Sequence, residues 1–198
     1  MKTRMKTLIY LHGFNSSAQS LKALNTKQYF QDHELGFNLS IPSLPSSPLE
    51  AVNTVNSLIR GIGAAQVAGF IGSSLGGYLS LYFQQSAMFK LTPRVALINP
   101  AVRPYELLAD YIGENENPYT GERYTIESRH MDELKSLSVP SIATTDNTFL
   151  LTMTGDEVLD FQQAVSFLPN AKMWVAAGGD HSFCVYPCAL PAIVNFFQ

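Results

Sequence analysis

Three short glycine-containing stretches, far apart in the chain, carry the side chains that acyl transfer requires: Gly72-Ser73-Ser74-Leu75-Gly76, Gly155-Asp156-Glu157 and Gly178-Gly179-Asp180-His181. A serine hydroxyl is a weak nucleophile at neutral pH. It needs an imidazole to take its proton, and a carboxylate to fix the imidazole tautomer and stabilise the imidazolium. The first stretch has the form G-x-S-x-G, in which a serine sits on a sharp strand-to-helix turn with its hydroxyl exposed. Only Ser74 fits the spacing, because Ile71 and Leu75 stand where Ser73 would need glycines.

His181, in a glycine-rich loop after the last apolar run, is the candidate base. His12 precedes Gly13 and is expected to shape that loop by hydrogen bonding, while His33 and His130 lie in polar helical surroundings and receive no role. Asp156 is the favoured acid because it follows an apolar run and precedes His181. Glu157 and Asp160 compete; Asp160 falls where a helix should begin, so N-capping explains it. Asp180 is too near His181 in sequence to approach the ring from behind. A tetrahedral intermediate also needs two N–H donors, and Leu75, next after the nucleophile, and Phe14, in the loop after the first apolar run, are the candidates. Nucleotide readings fail on spacing: no Lys follows the glycines as a Walker A loop demands, and no G-x-G-x-x-G is completed.

The elements that must position these groups follow from hydrophobic periodicity. Apolar strands are read at Thr7–Leu11, Asn38–Ile41, the run ending at Gly72, Arg94–Ile98, Thr148–Met153 and Lys172–Ala176. Helices are read from Ser20 to His33, Leu49 to Ile62, Leu75 to about Met88, Phe161 to Leu168 and Pro187 to Phe197. Strands alternating with helices predict an α/β fold with a parallel, doubly wound six-stranded sheet and helices on both faces. In such a sheet functional groups gather at the C-terminal strand ends, where Phe14, Ser74, Asp156 and His181 all fall.

Composition narrows the function classes. The chain has 198 residues, 46% hydrophobic and 15% charged, the size of one domain with a sizeable core. A net charge of −3 with scattered Lys and Arg gives no reason to expect nucleic acid or an anionic membrane as partner. The early apolar run from Leu8 to Leu11 is too short for a signal peptide or a membrane span, so a cytoplasmic protein is expected. Cys184 and Cys188, the two cysteines, lack zinc-site spacing and are expected to be buried or half-buried free thiols. The near-duplicate start around Met1 and Met5 suggests that residues 1–4 are a dispensable or misassigned tail. No metal or cofactor is expected.

The order Ser74, Asp156, His181 behind a His12-Gly13 loop resembles the α/β-hydrolase superfamily over nearly the whole chain, in a compact version. More closely, Tyr10-Leu11-His12-Gly13-Phe14-Asn15-Ser16-Ser17, Gly72 through Tyr78, Asn99-Pro100-Ala101-Val102-Arg103-Pro104 and Thr154 through Asp160 resemble the bacterial YqiA-type esterases. That resemblance implies carboxylic-ester hydrolysis without a cofactor. The YcfP-like sister branch lacks the serine of the turn, so the fold alone does not imply catalysis.

Between Asn99-Pro100 and the Thr148 strand the chain is longer than a crossover needs, which predicts a small cap insertion over about 101–147 within a single domain. Pro104 is read as opening a helix that runs through Tyr111 and ends at Gly113, with a second over Ile126–Leu137. Asn15, Arg103, Tyr105 and Tyr111 are candidate substrate-binding residues. Turn formation explains Asn15 equally well, surface pairing explains Arg103, and packing of the cap explains the tyrosines. The expected function is a serine-dependent esterase or thioesterase acting on a small acyl ester or thioester. The alternatives are a peptidase or other acyl transferase with the same triad, and a binding protein of this fold that turns nothing over.

Overall fold

The computed structural model describes residues 5–139 and 146–198; residues 1–4 and part of the expected cap lie outside these. In chain order the elements are β1 (Lys6–Leu11), α1 (Leu21–Asp32), β2 (Phe37–Ser40), α2 (Pro48–Ile62), β3 (Val67–Ser73), α3 (Leu75–Gln84), β4 (Arg94–Ile98), α4 (Pro104–Leu107), β5 (Gly113–Glu116), β6 (Arg123–Ile126), α5 (Ser128–Ser136), β7 (Thr148–Met153), α6 (Phe161–Phe167), β8 (Lys172–Ala176) and α7 (Tyr186–Phe197). Six strands form one parallel sheet in the order β2-β1-β3-β4-β7-β8.

Alternation along each strand divides the apolar side chains between two faces. Ile9, Leu11, Phe70, Val95, Leu97 and Leu150 pack with α2 and α3 on one side. Leu8, Tyr10, Ile71, Ala96, Phe149 and Leu151 pack with α7 on the other. Each fully buried Leu, Ile or Phe contributes about 1.5–3 kcal/mol relative to exposure, and β1, β4 and β7 are buried almost end to end, as internal parallel strands require. Helix α2 shows its start and stop in sequence: Ser47 accepts the Glu50 N–H, Pro48 takes the first turn, and Gly63 ends it with φ 89°.

Register aligns the strand ends. Leu11 pairs with Gly72, Ser73 with Ile98, Ile98 with Leu151, and Met153 with Ala176. The loops after β1, β3, β7 and β8 therefore rise from one rim, which is what brings residues 12–15, 74, 156 and 181 together.

Three local expectations change. Helix α3 stops at Gln84, short of Met88: Gln85 N and Ser86 N tighten onto Tyr82 O and Phe83 O at 3.2 and 3.0 Å, and the Ser86 hydroxyl then takes the Met88 N–H at 3.3 Å. From Pro104 the chain makes only four α-helical residues, then a 3-10 turn over Leu108–Tyr111. An antiparallel hairpin, β5 with β6, follows it. The Gly113–Glu116 sequence has little strand propensity; Tyr124, Thr125 and Ile126 of β6 are good strand formers, and cross-strand pairing such as Arg123 with Glu116 at 3.3 Å supports the hairpin. The cysteines differ too: Cys184 and Cys188 are free but exposed. The buried stripe of α7 runs through Tyr186, Ala189, Leu190, Ile193 and Phe197, which turns the face carrying Cys188 outward. Among the described residues no helix is long and apolar enough to cross a membrane.

Candidate active site

Ser74 is the residue between β3 and α3, and its backbone lies at φ 54°, ψ −119°, a region L-residues seldom enter. Such a conformation costs on the order of 1–3 kcal/mol and persists where the surroundings over-determine it. Here they do: Ser74 N donates to Ile98 O at 3.0 Å, and Ser74 O accepts from Gly77 N at 2.9 Å and Ala101 N at 3.2 Å. The flanking glycines let α3 start hard against the sheet. A Cβ on Gly72 would stand 2.3 Å from Gly76 O, and one on Gly76 would stand 2.0 Å from Leu11 O. Ser73 is buried beside Tyr10.

His181 Nε2 lies 3.1 Å from Ser74 Oγ, and His181 Nδ1 lies 2.8 and 3.0 Å from the two Asp156 oxygens. The Asp156 side chain is 1% exposed and that of His181 24% exposed. Burial by itself would raise the Asp156 carboxyl. The hydrogen bond from His181 and those from the Leu159 and Val158 N–H groups, at 2.8 and 2.9 Å, prevail and hold it below the usual carboxylate range. An ionised Asp156 selects the His181 tautomer with the proton on Nδ1, leaving Nε2 free to accept from the serine. Glu157 does not reach the ring; its Oε2 accepts the His181 N–H at 3.0 Å. Asp160 caps α6 through Gln162 N at 2.9 Å.

The loop after β1 runs against Ser74, and a Cβ on Gly13 would lie 3.1 Å from Ser74 Cβ. His12 shapes this loop. Its Nδ1 donates to Gly13 O at 3.0 Å, and its Nε2 accepts from Leu44 N at 3.1 Å, so the buried ring is neutral. Burial pushes His12 below the usual imidazole range, against a smaller opposing effect of the Gly13 carbonyl. The Phe14 and Leu75 N–H groups have no hydrogen-bond acceptor among the described residues. Leu75 opens α3, where backbone donors and the helix dipole favour negative charge.

The other candidates divide. Asn15, at φ 50°, accepts a hydrogen bond from the Tyr124 hydroxyl, and Asn117 Nδ2 donates to Ser16 O at 2.9 Å, so the β5–β6 segment is fastened over the loop that carries Phe14. Tyr111 is half exposed and packs edge-on to Phe14, with ring centroids 5.2 Å apart. Arg103 and Tyr105 are not brought to Ser74; they line a separate groove with Asp160 and Phe167, and Arg103 pairs with Glu106 at 3.6 Å on the surface.

Two clefts meet at Gly13–Ser16. One contains Ser74, His181, Tyr119 and Lys22; the other is walled by Leu44, Ala51, Leu75, Leu79 and Leu134. Sequence reasoning passed over Lys22, whose Nζ donates to Ser182 O at 2.9 Å, and Asn99, buried beneath the His181 loop. Lys22 gave no signal in the sequence. Asn99 gave one: an Asn directly after a buried strand is a residue suited to left-handed backbone.

A family model described as "Uncharacterised protein family (UPF0227)" matches residues 7–198. Among solved structures the chain is similar to mouse alpha/beta hydrolase domain-containing protein 10, with 18% identity and a TM-score of 0.70 over 100% of this chain and 93% of that one. It is similar to Est1E from Butyrivibrio proteoclasticus, with 14% identity and a TM-score of 0.69 over 98% and 87%. The esterase domain of a Rhodothermus marinus protein gives 16% identity and a TM-score of 0.66 over 100% and 90%. The fold is that of the α/β-hydrolase superfamily.

Proposed function

The chain belongs to the UPF0227 family, the YqiA-like family that its motifs resemble, and from that and the geometry around Ser74 we propose a serine-dependent carboxylic-ester hydrolase acting through an acyl-enzyme. The observation that carries this reading is the unbroken hydrogen-bonded line Ser74 Oγ, His181, Asp156, at 3.1 and 2.8 Å, with the serine held at positive φ. Est1E, with ferulic acid bound in one structure, and the Rhodothermus domain are esterases by name on the same fold, which adds support by analogy.

In the proposed mechanism Ser74 Oγ attacks the ester carbonyl carbon while His181 Nε2 takes the hydroxyl proton. The carbonyl π electrons move to oxygen, and the Phe14 and Leu75 N–H groups stabilise the resulting charge. His181 then returns the proton to the leaving alcohol or thiol as its bond to the acyl carbon breaks. Water repeats the sequence on the acyl-enzyme, and the free acid departs. Asp156 remains ionised throughout and orients the ring. The cleft beside Phe14 has an apolar wall of Leu44, Leu79 and Leu134 that suits a small acyl group, whereas the cleft shared by Ser74 and His181 suits the leaving group, which must lie where His181 can protonate it.

The test is stoichiometric labelling by a fluorophosphonate together with turnover of a short-chain chromogenic ester. Wild-type protein should label once, and folded Ser74→Ala should lose both labelling and at least about 10³-fold of the turnover. Wild-type protein that binds acyl esters without labelling or turnover would leave a binding protein of this fold. Matched ester, thioester and amide substrates then separate the esterase, thioesterase and peptidase readings by their kcat/KM ratios.

A further inference from the structure

One short corner at the end of β4 touches the backbone of all three loops that carry Ser74, Asp156 and His181. Ile98 O and Ala101 N bracket Ser74, accepting from its N–H at 3.0 Å and donating to its carbonyl at 3.2 Å. Asn99, between them, donates its own N–H to Leu151 O at 2.8 Å. Its Oδ1 accepts from Met153 N at 3.0 Å, at the end of the strand that leads to Asp156. Its Nδ2 donates to Asp180 O at 3.1 Å and His181 O at 3.2 Å. The residue is 2% exposed and lies at φ 40°. Among non-glycine residues Asn enters this region at comparatively small cost.

We propose that Asn99 is a positioning residue that fixes the distance between the acid and the base, and so the alignment of His181 on Ser74; the proposal rests on the serine-hydrolase reading. Asn99 bonds only backbone groups of β7 and of the His181 loop, so it acts through Asp156 and His181. The His181 loop has two further tethers, Glu157 on the His181 N–H and Lys22 on Ser182 O, and both bonds are exposed. The Asn99 bond to Met153 N is buried and those to the His181 loop are part-buried, and one planar amide makes them to both sides. Buried carbonyls and N–H groups left without partners are costly, so the two loops hold a single spacing while that amide is present. Asp at position 99 keeps the shape and the acceptor for Met153 N, but it replaces the donor by an oxygen facing two carbonyl oxygens. The base loop is then pushed off while the acid strand stays held.

The experiment compares wild type, Asn99→Asp, Asn99→Gly and Ser74→Ala in ester kinetics, fluorophosphonate labelling rate and thermal melting. Asn99→Gly keeps the backbone conformation accessible and removes the amide, so it serves if the Asp variant does not fold. A folded Asn99 variant should lose about 10–100-fold in kcat, the scale of an ångström-sized misplacement, with KM within about twofold and a proportionally slower labelling rate. Wild-type kcat and labelling rate in folded variants, or a loss no larger than the unfolded fraction measured by melting, would overturn the proposal. Were wild-type protein itself inert toward fluorophosphonate and esters, the hydrolase reading would be the one that fails.

Discussion

Asp156 and Asp160 lie on one loop and hold their carboxylates against different partners: Asp156 Oδ2 faces His181 Nδ1 at 2.8 Å, while Asp160 Oδ1 accepts the Gln162 N–H at 2.9 Å. Substitution by Asn separates the two. At position 156 the amide cannot act as the charged partner of the ring and favours the wrong tautomer, so kcat should fall about 10⁴-fold. At position 160 Asn is as good an N-cap as Asp, so kcat should stay within about twofold and the melting point nearly unchanged. Steady-state kinetics and melting of both variants check this. A crippled Asp160→Asn beside an active Asp156→Asn would reverse the assignment of the acid.

Two glycines with opposite surroundings predict opposite signs of stability change. A methyl on Gly76 meets Leu11 O at 2.0 Å and the His12 carbonyl at 2.7 Å, backbone atoms that cannot rotate away. Gly76→Ala should destabilise by about 3 kcal/mol or fail to fold. Gly61 lies exposed in α2 with nothing within 4 Å of an added Cβ. Gly61→Ala should stabilise by about 0.4–1 kcal/mol, since it removes backbone freedom from the unfolded chain. Urea denaturation midpoints decide both, and a destabilised Gly61→Ala would mean that the end of α2 is not helical as described.

What could be read in the sequence follows from how local each signal is. The inner sheet strands are legible because parallel strands buried on both faces give unbroken apolar runs, as Thr148–Met153 and Arg94–Ile98 do, while the half-buried edge strands β2 and β8 keep enough apolar residues to be read beside them. The spacing of Ser74, Asp156 and His181 at strand ends is legible for the same reason. The β5–β6 hairpin is not, since Gly113, Glu114, Asn115 and Glu116 are poor strand formers and leave the short Tyr124–Ile126 run without a legible partner. Roles made by long-range bonds to backbone, such as Asn99 to the His181 loop and Lys22 to Ser182, leave no periodic trace at all. The exposure of Cys188 follows from the phase of α7, which composition cannot supply.

Phe14 has two separable parts. Its N–H is one proposed oxyanion donor and does not depend on the side chain, while its ring packs edge-on with Tyr111 and Tyr124 and lines the apolar cleft. Phe14→Leu should therefore keep kcat within about tenfold on an acetyl ester and change the preference among longer acyl chains through KM. Kinetics on a series of chain lengths tests this. A uniform loss of about 10²-fold or more in kcat at every length would instead mean that the ring holds the N–H in place.

His12 predicts a dependence of stability on pH just below neutrality. Its neutral ring donates from Nδ1 to Gly13 O and accepts at Nε2 from Leu44 N, and protonation would set two donors against each other at Nε2. Burial lowers the folded value below that of the unfolded chain, about 6.5. The stabilisation from the neutral form is thus fully present above about pH 6.5 and is lost as pH falls toward the folded value, with a slope of at most about 1.4 kcal/mol per pH unit from this one group. His12→Gln can keep one donor and one acceptor but does not titrate. Its urea midpoint should be lower than wild type at pH 8 and should fall less steeply between pH 7 and 5. Parallel slopes in the two proteins would assign the acid sensitivity to other groups. Because Leu44 walls the cleft beside Phe14, the same titration should loosen that wall in wild type and leave it in place in His12→Gln.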